Sequence, residues 1–348
     1  MTATDWLILV LRVALPALLL PGFVIPLVWI ERRMAAFIQD RPGPNRVGPF
    51  GLLQSPADIL KLFTKEEVVP ASVDRLLFFV APALAVFSAL ATFAVIPYGA
   101  TLRISGREVP LLGADVSIGV LYVFAITSLS VYAIVLAGWS SNDKFSLMGG
   151  IRSGAQIISY ELAMTTAAAG VILTASSFRL SDIIAMQEET FRWLPFVPHW
   201  NVFVQPVGFL VFFVSTFAET NRLPFDLPEA EAELVAGYHT EYSAMHFGSF
   251  FLAEYTNVMV SCALTVTLYF GGWSLPGFHP SGVLGVLLSV LVFMLKTAFF
   301  VGIFIWVRWT LPRFRYDQLM RLGWKALLPL ALLNLLWVAA LEMWRMHR

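Results

Sequence analysis

Residues 283–307, VLGVLLSVLVFMLKTAFFVGIFIWV, contain a single charge, Lys296. A hydrocarbon core about 30 Å thick is crossed by about 20 apolar residues in a helix, so this stretch reads as a membrane span. A lysine near the middle of such a helix costs at least about 2.5–3.5 kcal/mol on insertion scales, and therefore marks a partner or a function. Seven more apolar runs flank it, at about 7–30, 76–98, 116–138, 155–176, 202–218, 247–270 and 324–341. The expected fold is all-α, a polytopic membrane protein of about eight spans with amphipathic interfacial helices in its loops, residues 1–348 forming one membrane domain.

Composition agrees. Of 348 residues, 58% are hydrophobic and 13% charged, about half the charge of a soluble protein. The 23 basic and 23 acidic residues cancel, so no global field gathers nucleic acid or an acidic partner. One cysteine, Cys262, excludes a disulfide framework and a cysteine-ligated zinc site or iron–sulfur cluster in this chain alone. The first run lacks a basic leader and is too long for a cleaved signal, so it is expected to stay as a span. Pro16, Pro21 and Pro26 interrupt it, which suits a helix packed against protein.

Lysine and arginine set the orientation. The segment after the first run holds Arg32, Arg33, Arg41, Arg46, Lys61, Lys65 and Arg75, and the one after the seventh holds Arg308, Arg313, Arg315, Arg321 and Lys325. Both are expected on the cytoplasmic side, with the termini opposite.

From Glu31 to Arg75 charge is as dense as on a soluble surface. The turns in RPGPNRVGPFG (41–51) lack the pattern and preceding strand of a phosphate loop. Ser55 followed by Pro56 reads as a helix cap. The helix it would open carries Leu52, Pro56, Ile59, Leu60 and Phe63 on one face and Gln54, Asp58, Lys61 and Lys65 on another, the pattern of an interfacial helix. A plain surface anchor and the roof of a lipid-side opening both fit that pattern.

A second charged segment, AETNRLPFDLPEAEAELVAGYHTEY (218–242), sets Glu219, Asp226, Glu229, Glu231, Glu233 and Glu241 against Arg222 alone. A solvated acidic face is the plain reading. Interleaved Pro224, Phe225 and Leu227 favour partial burial, which moves clustered carboxylates toward a proton-carrying range. Glu161 and Glu254 inside spans, with Lys296, either neutralise one another or line a buried polar path. The histidines show no ligand spacing, and no flavin or nicotinamide fingerprint occurs, so any electron donor is expected in another subunit.

Several long motifs resemble one family: Glu31-Arg32-Arg33, Gln39, Arg41-Pro-Gly-Pro-Asn45, Gly48-Pro-Phe-Gly-Leu-Leu-Gln54, Asp58, Lys61-Leu-Phe-Thr-Lys65-Glu66, then 137–161, 218–243, FFLAEYTN (250–257) and 296–325. They resemble the H-type membrane subunit of proton-pumping NADH:quinone oxidoreductase, respiratory complex I, whose mitochondrial equivalent is subunit 1. The resemblance implies a subunit between the redox and membrane arms. Segments 31–75 and 219–246 would dock partner subunits and enclose the quinone chamber, through Glu31, Arg32, Gln39, Arg41, Asn45, Asp58, Lys61, Lys65, Arg222 and Phe225. It implies a proton path through Glu161, Glu219, Asp226, Glu229, Glu231, Glu233 and Glu254, to which Lys296 is added as an intramembrane charge. Quinone would be the substrate, lipid a neighbour, and FMN and iron–sulfur clusters would sit in partner subunits, with no catalytic or metal residue here. The location implied is a bacterial inner membrane, or the mitochondrial one. A related energy-converting hydrogenase anchor and a stand-alone transporter are the competing classes; no repeat symmetry supports the transporter.

Overall fold

The computed structural model describes residues 3–104, 107–191, 194–226, 235–277 and 282–347. Helices dominate. In chain order they are α1 (Ala3–Ile38), α2 (Gln54–Thr64), α3 (Arg75–Phe93), α4 (Gly119–Thr127), α5 (Leu129–Ser140), α6 (Lys144–Ala175), α7 (Leu180–Glu188), α8 (Asn201–Val204), α9 (Pro206–Glu219), α10 (Ala244–Tyr269), α11 (Gly282–Thr310), α12 (Tyr316–Leu322) and α13 (Leu328–Met346). Two short antiparallel strand pairs, Leu102–Ile104 with Arg107–Val109 and Thr190–Phe191 with Leu194–Pro198, lie between helices.

Among the described residues six helical stretches are long and apolar enough to cross a membrane: α3, α4 with α5, α6, α10, α11, and α12 with α13. Of the eight expected runs, the first lies in α1, which continues for 36 residues through its three prolines. The fifth lies in α9, whose 14 residues span about 21 Å at 1.5 Å each. Arg12 of α1 donates to the Leu112 carbonyl at 2.9 Å.

The helices start where capping chemistry says they should. Asp74 accepts from the Leu77 N–H ahead of α3, and Asp143 accepts from the Phe145 and Ser146 N–H groups ahead of α6. The expected Ser55 cap is a correction. Gly51 adopts φ 73°, where any Cβ would lie 2.2 Å from the Pro44 carbonyl oxygen, so only glycine closes this turn. The tight turn presents Leu53 already in position to cap, its carbonyl accepting from Ala57 N–H. The helix therefore begins at Gln54, and Ser55 is buried one residue inside it. On α2, Leu60 and Phe63 are each 65% exposed, which suits an interfacial helix whose apolar side meets lipid.

Small residues on α6, among them Gly149, Gly150, Ser153, Gly154, Ala163 and Ala167, are buried and let neighbouring helices approach closely. At Gly149 a Cβ would come within 2.9 Å of Gly237, so the turn at 237–239 lies directly on this helix. The most apolar window of α10 is 72% buried against 28% for α11, which makes α10 central and α11 peripheral. Aromatic packing joins α9 to α11, where Phe217 and Phe304 stack at 3.8 Å.

Candidate functional site

Glu31 stands in the last two turns of α1 rather than in a loop, because the helix runs on to Ile38. It is 6% exposed. Arg308, near the end of α11, donates to its carboxylate at 2.5 Å, and the Tyr255 hydroxyl of α10 lies beside it. Arg222 lies 4.0 Å away. The same guanidinium sits 2.7 Å from the Glu254 carboxylate and 4.1 Å above the Tyr255 ring. Segments far apart in sequence thus converge on one buried ionic cluster. Single buried charges would be costly here; two acids interleaved with two arginines compensate one another.

Two small cavities adjoin this cluster. One, of about 20 Å³, is lined by Glu31, Arg222, Tyr255 and Arg308 together with apolar Leu27, Val258, Val301, Phe304 and Ile305. The other, of about 30 Å³, is lined by Glu219, Thr220, Asn221, Glu254, Asn257, Ser130 and Tyr238 among others. Each has room for one or two waters, at about 10–15 Å³ per molecule on this measure. The Arg222–Glu254 pair bridges them, since one partner faces each. The Thr127 hydroxyl lies beside Glu219, which is within electrostatic reach of Glu161. Charge added or removed at either of those carboxylates is felt at the other.

Asp226 accepts from Arg313 at 2.9 Å, and the Phe225 ring packs against Tyr160 and Phe314. These contacts seat the 218–226 segment on the start of the C-terminal helices. Glu229, Glu231 and Glu233 lie outside the described residues. Arg32 pairs with Asp58 at 2.5 Å, tying α1 to α2. Gln39, Arg41, Asn45, Lys61 and Lys65 are exposed around the same end of the bundle and do not join the ionic cluster.

Lys296 also stands apart from the carboxylates. Its ammonium donates to the carbonyls of Phe270, Gly272 and Ser274 at 2.7, 3.0 and 2.7 Å, and it lies 4.5 Å over the Trp200 ring. The lysine caps the C-terminal end of α10, where helix carbonyls lack intrahelical donors.

Outside the spans, burial lowers the His239 imidazole to about 4, so it is neutral near pH 7 between Tyr238 and Phe247. Burial likewise pushes the Tyr242 hydroxyl up to about 12, where it remains a donor to the Phe78 carbonyl. His246 pairs with Glu67.

Sequence reasoning left Arg308, Arg313, Tyr255 and Thr127 out of the site. A signal existed for the first: Glu31 and Arg308 are opposite charges at the same end of the first and seventh runs.

Comparison with known proteins gives this geometry a family. The family described as NADH dehydrogenase matches residues 11–339. An H-type NADH-quinone oxidoreductase subunit of Geobacter sulfurreducens is 53% identical over 310 residues, covering 89% of each chain. NADH-quinone oxidoreductase subunit 8 of Rhodothermus marinus is 50% identical over 344 residues, covering 96% of each.

Proposed function

The chain belongs to the family of H-type membrane subunits of NADH-quinone oxidoreductase, and from that premise we propose that it walls a quinone chamber and carries charge from quinone reduction into the membrane. The observation that supports this reading most is the continuity of ionisable groups: Glu31, Arg222 and Glu254 in contact order, then a water-sized cavity, then Glu219 and Glu161. Neither cavity of this group has room for a quinone ring, so in this reading the chamber is completed by partner subunits against the exposed residues of segment 31–75.

Quinone takes up two electrons and two protons to become quinol. Flavin and iron–sulfur clusters of partner subunits supply the electrons; this chain contributes position and charge. An anionic reduced quinone near Arg222 and Arg308 would compete with Glu31 and Glu254 for the guanidinium groups. The carboxylates then re-partner, and a proton moves through the water-sized cavity toward Glu219 and Glu161. A group biased in this way switches because its partners change charge, not because it is strained. The 31–75, 219–246 and 308–325 segments face the cytoplasm in this reading, in a bacterial inner membrane, with both termini periplasmic.

Glu219→Gln and Glu161→Gln in the assembled complex are expected to lower NADH-to-quinone turnover by about tenfold or more, roughly 1.4 kcal/mol of barrier or above. NADH oxidation by an artificial acceptor should stay at the parental rate. Parental quinone turnover in both variants would overturn the reading.

A further inference from the structure

Gln156 of α6 is fully buried, and no charge accounts for it. Its Nε2 lies 2.9 Å from the Ala218 carbonyl, 2.8 Å from the Phe225 carbonyl and 3.2 Å from Asn221 Oδ1. Three oxygens around one atom identify that atom as the nitrogen, since the amide oxygen would repel all three. The two shortest contacts fall on the two ends of a short loop. Ala218 is in the last turn of α9, where carbonyls lack helical partners, and Phe225 is where the loop returns. One side-chain amide therefore closes the neck of segment 218–225. Asn221 within it adopts φ 50° and accepts from Ser153 as well as from Gln156, so α6 holds the loop at its neck and at its middle.

Glu219 and Arg222 both belong to this tied loop. Glu219 faces the cavity and Glu161; Arg222 faces Glu254, Glu31 and Tyr255. With the neck fixed, a displacement of Arg222 is not absorbed by the loop opening, and it reaches Glu219 three residues away. We propose that Gln156 is a positioning residue that fastens this loop to α6, so that a change at the Arg222 ion pairs is transmitted to Glu219. The proposal rests on the functional reading above. Gln156 touches no reacting atom; it acts through the backbone of its neighbours.

A second buried glutamine serves as the control. Gln187 of α7 donates to the Ile183 and Thr267 carbonyls and accepts from the Asn201 and Gly271 N–H groups, all remote from the carboxylates. The variants are Gln156→Met and Gln187→Met in the assembled complex, each near-isosteric and without a donor. Hydrogen exchange of the 217–226 peptide should accelerate in Gln156→Met and stay parental in Gln187→Met. NADH-to-quinone kcat should fall about fivefold or more in Gln156→Met, the lower range of a coupling energy, with KM for quinone unchanged. Glu219→Gln combined with Gln156→Met should lose no more activity than Glu219→Gln alone, because residues acting as one unit are not additive. If Gln156→Met does not assemble, Gln156→Asn, an amide one methylene shorter, is measured in its place.

Parental exchange in the 217–226 peptide would overturn the clamp. Faster exchange with parental kcat, or losses that add to those of Glu219→Gln, would overturn its role in transmission. Parental quinone turnover in both Glu219→Gln and Glu161→Gln would instead remove the functional reading beneath it and the transmission with it, while the exchange data would still report on the clamp.

Discussion

Glu254 lies inside α10 and Phe270 caps its C-terminal end, about 24 Å away at 1.5 Å per residue, and the charges near the two are satisfied in opposite ways. Around Phe270, Lys296 donates to three backbone carbonyls, and Gln187 and Asn201 also bind mainly backbone groups. Around Glu254, Arg222 and Glu31 meet side chains that can themselves gain or lose charge or turn away. Backbone carbonyls neither titrate nor move independently, which suits the Lys296 region to a lock. The Arg222 region has partners that compete for one another, and that is the physical requirement for a switch. On the proposed reading, what an ionisable group in a membrane span is bonded to, and not its burial alone, decides whether it joins the charge path.

The largest expected effect comes from removing the guanidinium at the centre of the proposed switch. Arg222→Leu leaves Glu254 without its close counter-charge, and breaking a buried pair from one side typically costs about 3–5 kcal/mol. NADH-to-quinone activity should be lost, and the amount of assembled complex on a native gel should fall. Adding Glu254→Gln to Arg222→Leu removes the stranded charge, and should restore assembly without restoring quinone turnover. Recovery of turnover in the double variant would show that the pair is structural, and the contrast between the two regions would fail.

Lys296→Met sharpens the comparison from the other side. It removes three charge-assisted donors, each worth about 1.5–3 kcal/mol in general, and leaves carbonyls at the end of α10 unpaired. The complex should melt at lower temperature, while the molecules that remain assembled keep their quinone turnover and proton-to-electron ratio. A fully assembled Lys296→Met complex with lost pumping would support the place among the proton-carrying groups that the sequence suggested for Lys296.

That difference also explains what the amino-acid order reveals. Six of the eight expected runs coincide with helices long enough to span, because an apolar run of membrane length has few other folds open to it. The acidic side chains of the site were legible because charges are rare in this chain. Their arrangement was not. Glu31 and Arg308 are 277 residues apart, and nothing local to either says that α1 and α11 bring them together. Lys296 looked equivalent to Glu161 and Glu254 as an intramembrane charge, because its partners are carbonyls, which every residue carries and no sequence pattern distinguishes. Gln156 was hidden for the same reason: two of its three acceptors are backbone. Ser55 misled because a Ser-Pro cap signal is weaker than a glycine turn that has already set the chain in helical register.

The smallest expected effect lies at the Arg32–Asp58 pair, which resembles the buried cluster in chemistry and differs from it in exposure. Its side chains are 42% and 37% accessible, and exposed ion pairs contribute about 0–1 kcal/mol. Asp58→Asn should therefore leave the melting temperature of the complex almost unchanged. This residue joins α1 to α2, the helix whose Leu60 and Phe63 face outward, so its charge acts on whatever approaches that surface. If the 31–75 segment lines the quinone chamber, Asp58→Asn should raise KM for quinone several-fold at unchanged stability, with artificial-acceptor activity unaffected. If KM also stays parental, Asp58 is a surface tether, and the chamber wall on this chain narrows to the buried side of the comparison: Glu31, Tyr255, Arg222 and Arg308.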